Sequence, residues 1–166
     1  MQLWIGRHAH AGSPSDDPKT ERERPLTPEG VRMAKAIASA MLDAGEVPKT
    51  IFCSPFVRAQ QTADIYGRAL GVSQVVNLGD LAPWRPLTPT LASLIGVKGA
   101  ERMKRLMIVG HVDNVSPCMQ DLATDEKWKP AVMGEVRRVE IDRDSLEWSI
   151  KWCIRPSDLG LRDYDK

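Results

Sequence analysis

Little in this 166-residue sequence points to a cross-linked, metal-clipped or membrane-spanning protein. Its three cysteines, Cys53, Cys118 and Cys153, are odd in number, widely spaced and without a C-x-x-C pair. That argues against a disulfide frame or a zinc knuckle and fits a reducing compartment. No run approaches the ~18 apolar residues of a membrane span. The first residues lack the charged and apolar regions of a signal peptide, so the expected location is the cytoplasm, with no membrane partner. Charge of either sign is scarcely in excess: 23 Lys and Arg against 22 Asp and Glu leave a net +1, so no bulk field recruits nucleic acid. Any hold on an anion must come from local arginines. Internal repeats, low-complexity tracts and linkers are absent too, and a single domain over 1–166 is expected.

What is present is an ordinary globular composition, 42% apolar and 27% charged, long enough to bury a core of normal size. Gln2 to Gly6 reads as a buried strand, and Ser13 to Arg24 as a charged, proline-broken loop. Thr27 caps and Pro28 starts a helix whose stripe of Val31, Ala34, Ile37, Ala38, Met41 and Leu42 runs until Gly45. Thr50 to Cys53 is a second strand. Ser54-Pro55 repeats the cap-and-proline start for a helix to about Leu70, closed by Gly71. Gln74 to Asn77 is a weaker strand, Thr88 to about Val97 a helix, and Leu106 to Val109 a strongly apolar strand. Val115 to Leu122 reads as a helix with Pro117 in its first turn. Val139 and Ile141, then Leu146, Trp148, Ile150, Trp152 and Ile154, alternate around a turn at Asp142 to Ser145, which describes a hairpin with one buried face. Strand-helix repeats followed by such a hairpin give an α/β fold: a three-layer α/β/α sandwich with a mostly parallel sheet and an antiparallel edge.

Three strand ends carry conspicuous polar residues: Arg7-His8, Ser54-Pro55-x-x-Arg58 and Gly110-His111. In a parallel sheet these ends share one edge, so residues far apart in sequence can meet one ligand. Arg58 falls in the first turn of its helix, where the dipole and free N–H groups favour negative charge. Phe56 and Val57 bring no acid there, so the turn resembles a phosphate seat of N–H groups and a guanidinium. Phosphoryl transfer needs positioning and positive charge on the equatorial oxygens, and a neutral imidazole nitrogen is a competent in-line nucleophile. A zinc face of His8, His10 and His111 is the competing reading. Arg7 beside the cation, and no acidic group to orient the imidazoles, argue against it. Neither metal nor cofactor is expected.

In order and spacing, "RHAHA" at Arg7 to Ala11, "RPLTPEG" at Arg24 to Gly30, "SPFVRAQQTA" at Ser54 to Ala63 and "VGH" at Val109 to His111 resemble the histidine phosphatase superfamily, most of all its short SixA-type phosphohistidine phosphatase branch. The resemblance implies a phosphoglycerate mutase-like fold and a covalent mechanism. His8 would be the nucleophile, and Arg7, Arg58 and His111 would hold the phosphoryl oxygens, His111 as a donor and protonated in one form of the site. It also brings in Arg24 as a substrate contact. The chain departs from the family in carrying Ala9 where glycine is usual after the nucleophile, and Val112-Asp113-Asn114 where asparagine and proline commonly follow the second histidine. Relatives acting on esters use a glutamate acid in the loop after the third strand; the nearest candidate here is Asp80. In the same loop Trp84 and Arg85 are candidates to line the pocket mouth.

The expected activity is thus a metal-independent phosphatase acting on phosphohistidine in a protein. Two alternatives stand beside it: a small-molecule phosphomonoesterase, and a docking module that binds a phosphorylated partner without turnover.

Overall fold

The structure, a computed structural model, describes residues 1–87, 104–122, 130–142 and 148–164. Six strands form one sheet: β1 (Gln2–Arg7), β2 (Thr50–Cys53), β3 (Gln74–Asn77), β4 (Arg105–Gly110), β5 (Val136–Ile141) and β6 (Trp148–Ile154). Their spatial order is β3-β2-β4-β1-β5-β6. The first four are parallel, and β5 and β6 join antiparallel at the edge beside β1. Among the described residues four helices pack on this sheet or border it: α1 (Pro18–Glu23), α2 (Pro28–Asp43), α3 (Val57–Leu70) and α4 (Val112–Leu122).

Strand periodicity divides the core in two. Trp4, Ile51, Cys53, Met107 and Val109 point to the face covered by α2 and α3, where they meet Met33, Ile37, Met41, Ala63 and Tyr66. Their neighbours Leu3, Ile5, Phe52, Leu106 and Ile108 point the other way, toward Val115 and Cys118 of α4. Successive side chains of a strand face opposite sides, so a strand buried on both faces reads as an unbroken apolar run. The indole N–H of the fully buried Trp4 donates to Glu46 at 2.9 Å, which satisfies its one polar group.

Local chemistry explains most boundaries. Thr27 accepts from Gly30 N–H and Pro28 opens α2, while α3 ends on Gly71 at φ 68°. Three expectations need correction. Ser54 does not cap α3: the cap position is Phe56, without a side-chain hydrogen bond. The supposed loop before Arg24 contains α1, where Asp17 caps through Thr20 N–H and Pro18 leads the helix, the same signal as at Thr27-Pro28. Pro117 lies beyond the first turn of α4, because that helix begins three residues earlier than its apolar pattern indicates. The hairpin buries its outer strand only in part: Ile154 is buried but Ile150 is 45% exposed, and the pairing shifts register between Arg138 and Val139. The helix expected over Thr88 to Val97 and most of the hairpin turn lie outside the described residues.

Candidate active site

Adjacent parallel strands β2, β4 and β1 end side by side, and their termini bring the polar residues together. Arg7 pairs in register with Gly110, so His8 and His111 leave neighbouring strands at the same level. Backbone bonds extend this zipper beyond the strands, from His8 N–H to Gly110 O at 3.0 Å and from Ser54 N–H to Val109 O at 3.1 Å. The two imidazoles lie 5.1 Å apart, edge to face. Arg7, His8, Arg58 and His111 are all buried, yet all border one cavity of about 440 Å³.

The tautomers follow from the partners. Nδ1 of His8 faces the carbonyl of Ala9 at 2.8 Å, and a carbonyl only accepts, so Nδ1 carries the proton. Nε2 is then a lone pair, and it receives Arg58 Nε–H at 3.1 Å. Arg58 NH2 also approaches Nδ1 of His111 at 3.3 Å, which leaves Nε2–H of His111 to donate to Ser54 Oγ at 2.8 Å. Both imidazoles are neutral in this arrangement. Burial above all, then the neighbouring His111, which could not be protonated alongside it without repulsion, and the charge of Arg58, hold His8 well below its ordinary range. Burial, Arg58 and Arg7 push His111 down to about 3. The protonated form of His111 allowed by the family resemblance is thus not the form this environment favours near neutral pH. Burial also draws Arg58 down to about 10, still charged at neutral pH.

Several residues hold this geometry. Thr62 of α3 accepts from Ala9 N–H at 3.1 Å and donates to Arg58 O at 2.7 Å, fastening the His8 loop to the helix that carries Arg58. Asn114 Oδ1 accepts from His111 N–H at 2.9 Å. A Cβ on Gly110 would come within 2.7 Å of that Oδ1, so the glycine in "VGH" makes room for the clamp on the histidine beside it. Arg7 NH1 donates to Ala131 O at 2.8 Å.

Other candidates separate clearly. Arg24 borders the cavity, donating to Ala11 O and Gly12 O and pairing with Glu21 at 2.7 Å. Asp80 is exposed in a single 3-10 turn over Gly79–Leu81, Arg85 is exposed after it, and neither borders the cavity. His10 bonds Thr27 through Nδ1 at 2.8 Å and stacks on Tyr164, so it belongs to the packing of the loop on α2. Among the described residues no group of three His, Cys, Asp or Glu side chains is arranged to hold a metal ion.

Sequence reasoning missed two carboxylates. Glu21 of α1 pairs with Arg58 NH2 at 2.9 Å as well as with Arg24. Burial alone would raise its carboxyl, but hydrogen bonds from Arg24 and Ser15 N–H, with the Arg58 and Arg24 charges, hold it below the usual range. Asp113, in the first turn of α4, borders the cavity and accepts from Trp84 N–H. The Asp17-Pro18 cap was a signal for the helix that carries Glu21. For Asp113 the sequence held none beyond its closeness to His111.

No helix among the described residues is long and apolar enough to cross a membrane. The histidine phosphatase superfamily (branch 1) matches residues 3–84. An uncharacterized protein of Picosynechococcus sp. is 34% identical over 124 residues, 74% of this chain and 73% of that one. Phosphohistidine phosphatase SixA of Escherichia coli is 24% identical over 97% of this chain and 98% of its own. Among solved structures, the protein histidine phosphatase SixA complexed with tungstate superposes with a TM-score of 0.82 at 24% identity, covering 96% of this chain and 99% of that one. A mycobacterial glucosyl-3-phosphoglycerate phosphatase with inorganic phosphate gives 0.67 at 16% identity, covering 91% and 95%. With these matches and a mostly parallel sheet whose strand ends gather two histidines and three arginines, the chain belongs to the histidine phosphatase superfamily and is a phosphatase-type hydrolase.

Proposed function

We propose that this chain is a cytoplasmic, single-domain phosphohistidine phosphatase that works through a covalent intermediate on His8. The observation that carries the reading is the fixed tautomer of His8: Nδ1–H is held by Ala9 O, and Nε2 faces the arginine-lined cavity with its lone pair. Nε2 attacks phosphorus in line with the bond to the leaving group, the N–P bond forms as the bond to the substrate imidazole breaks, and the pair of electrons leaves with that imidazole. Water then attacks the phosphorus of phospho-His8, which releases inorganic phosphate and restores the neutral nucleophile. Arg7, Arg24 and Arg58 supply the charge that the equatorial oxygens need, so no metal enters the reaction.

The preference for phosphohistidine rests on the similarity to SixA and on the exposed position of Asp80, outside the cavity. A second reading, hydrolysis of a small phosphate ester, has one observation in its favour: Asp113 puts a carboxylate on the cavity wall. The test is a rapid quench with radiolabelled phosphohistidine protein and with aryl and sugar phosphates. Acid-labile label on the wild type, absent from His8→Ala with at least ~10³-fold loss of turnover, is the expected result. Fast turnover by His8→Ala overturns the nucleophile, and sugar phosphates outrunning phosphohistidine overturn the substrate class. A tight phosphoryl complex with no turnover by the wild type would make the protein a docking module.

A further inference from the structure

Among the described residues Trp84 is the most exposed of the large apolar side chains, at 79%, and it belongs to neither half of the core. It also holds φ 62°, the one described non-glycine residue in the left-handed region. That conformation is unfavourable for a bulky L-residue, and an indole in water forgoes the burial that tryptophan usually gains.

The backbone around it is nevertheless firmly tied. Trp84 N–H donates to the carboxylate of Asp113, and Asn114 Nδ2 donates to Leu81 O at 3.0 Å and Ala82 O at 3.1 Å. Leu81 itself is fully buried. Two consecutive residues of α4, immediately after His111 and Val112, thereby fasten the loop to the same helix end that orients the candidate phosphoryl pocket. Of the residues that border the cavity, Arg7, His8, Arg58 and His111 are buried and polar, whereas Trp84 is exposed; Pro14, Pro83 and Met133 add further apolar surface.

The geometry points to Trp84 as a specificity residue: its ring, presented at the pocket rim by Asp113 and Asn114, stacks on a planar ring bonded directly to the phosphoryl group held at the floor. The inference rests on the reading of the cavity as a phosphoryl pocket and narrows its substrates to phosphorylated imidazoles and aryl phosphates, as against sugar phosphates. A protonated phosphoimidazole gains further from the cation–π attraction of an indole.

The experiment compares phenylphosphonate with methylphosphonate by calorimetry in the wild type, Trp84→Phe and Trp84→Gly, the last being free of any penalty at positive φ. Phenylphosphonate should bind the wild type about five- to tenfold tighter, the scale of one aromatic stacking contact. The ratio should persist in part in Trp84→Phe and fall to near one in Trp84→Gly. An unchanged ratio in Trp84→Gly, or equal weakening of both ligands, overturns the role of Trp84. Because phosphonates bind without turnover, a normal ratio in a protein that hydrolyses nothing overturns the catalytic reading alone, and failure of the wild type to bind either phosphonate overturns both. With turnover established, phosphoimidazole and phenyl phosphate separate the two ring classes. A larger loss of kcat/KM for phosphoimidazole in Trp84→Gly supports the cationic ring, and loss for neither overturns the stacking.

Discussion

Arg58 donates its Nε–H to Nε2 of His8 across 3.1 Å, so the lone pair proposed to attack phosphorus is engaged by the guanidinium proposed to neutralise the phosphoryl group. The pairing aligns the imidazole and favours its unprotonated form. An arriving phosphoryl group must draw Arg58 onto its oxygens, which exposes Nε2 at the moment it is needed.

Arg58→Ala should therefore lose ~10²–10³ in kcat, the usual scale for one preorganised donor at a developing charge. Arg58→Lys should recover only part of it, since an ammonium restores charge but not the planar fork that reaches His8, His111 and Glu21 together. Single-turnover rates on an aryl phosphate separate chemistry from release. Full activity in Arg58→Ala would show that the contact with His8 is only structural.

Both histidines are held below the ordinary histidine range, and this sets a sign for pH. The nucleophile and His111 stay neutral as pH falls through 6.5, so kcat/KM, corrected for the substrate's own ionisation, should show no acidic limb there. Stability moves oppositely. Below about 6.5 the unfolded chain takes up protons that the folded histidines exclude, so stability falls with pH, for His111 down to about 3. Each excluded proton contributes a slope of up to about 1.4 kcal/mol per pH unit. Between pH 7.5 and 5 the drop in Tm should be smaller in His111→Gln than in the wild type, as thermal unfolding would read it.

Glu21 supplies negative charge to Arg58 and Arg24, the guanidiniums that a phosphoryl group would also seek. Glu21→Gln should tighten tungstate inhibition by roughly three- to tenfold, the order expected when one like charge is removed from a partly screened site. It should also lower kcat by loosening Arg58. Weaker tungstate binding in this variant would mean that Glu21 serves the anion by ordering the arginines more than it competes with it.

These outcomes track what was legible. The convergence of Arg7, His8, Arg58 and His111 on one cavity was legible because each sits at the end of a strongly patterned element, and a parallel sheet carries such ends to one edge. Glu21 was not, because α1 buries none of its six residues and so writes no apolar stripe, leaving ionic contacts to set its place. The Ser54-Pro55 pair misleads for a related reason. Ser-Pro before a helix fits a cap, but tertiary structure pairs the Ser54 hydroxyl with His111 and begins α3 at Val57. Ile150 shows the limit of alternation, which marks one face of β6 without revealing that an edge strand has little to cover it.

The leaving group decides between the two substrate classes. An alkyl phosphate must expel an alkoxide whose conjugate acid has a pKa near that of water, about 15–16, so its hydrolysis needs a placed proton donor. A phosphorylated imidazole takes a proton on its other nitrogen near neutral pH and leaves as a neutral molecule. Asp80 is exposed and outside the cavity, so Asp80→Asn should leave every rate within about twofold, as for any solvated turn residue. Asp113 does border the cavity, but its carboxylate accepts the Trp84 N–H and so already acts as an anchor. Its amide keeps an oxygen for that bond, which makes Asp113→Asn a clean probe of proton donation. Phosphoramidates and aryl phosphates should be turned over far faster than sugar phosphates, with the order of preference unchanged in Asp113→Asn. Efficient alkyl phosphate hydrolysis that falls by ~10²–10⁴ in this variant, the usual contribution of a general acid, would instead make Asp113 the donor and the protein a small-molecule phosphomonoesterase.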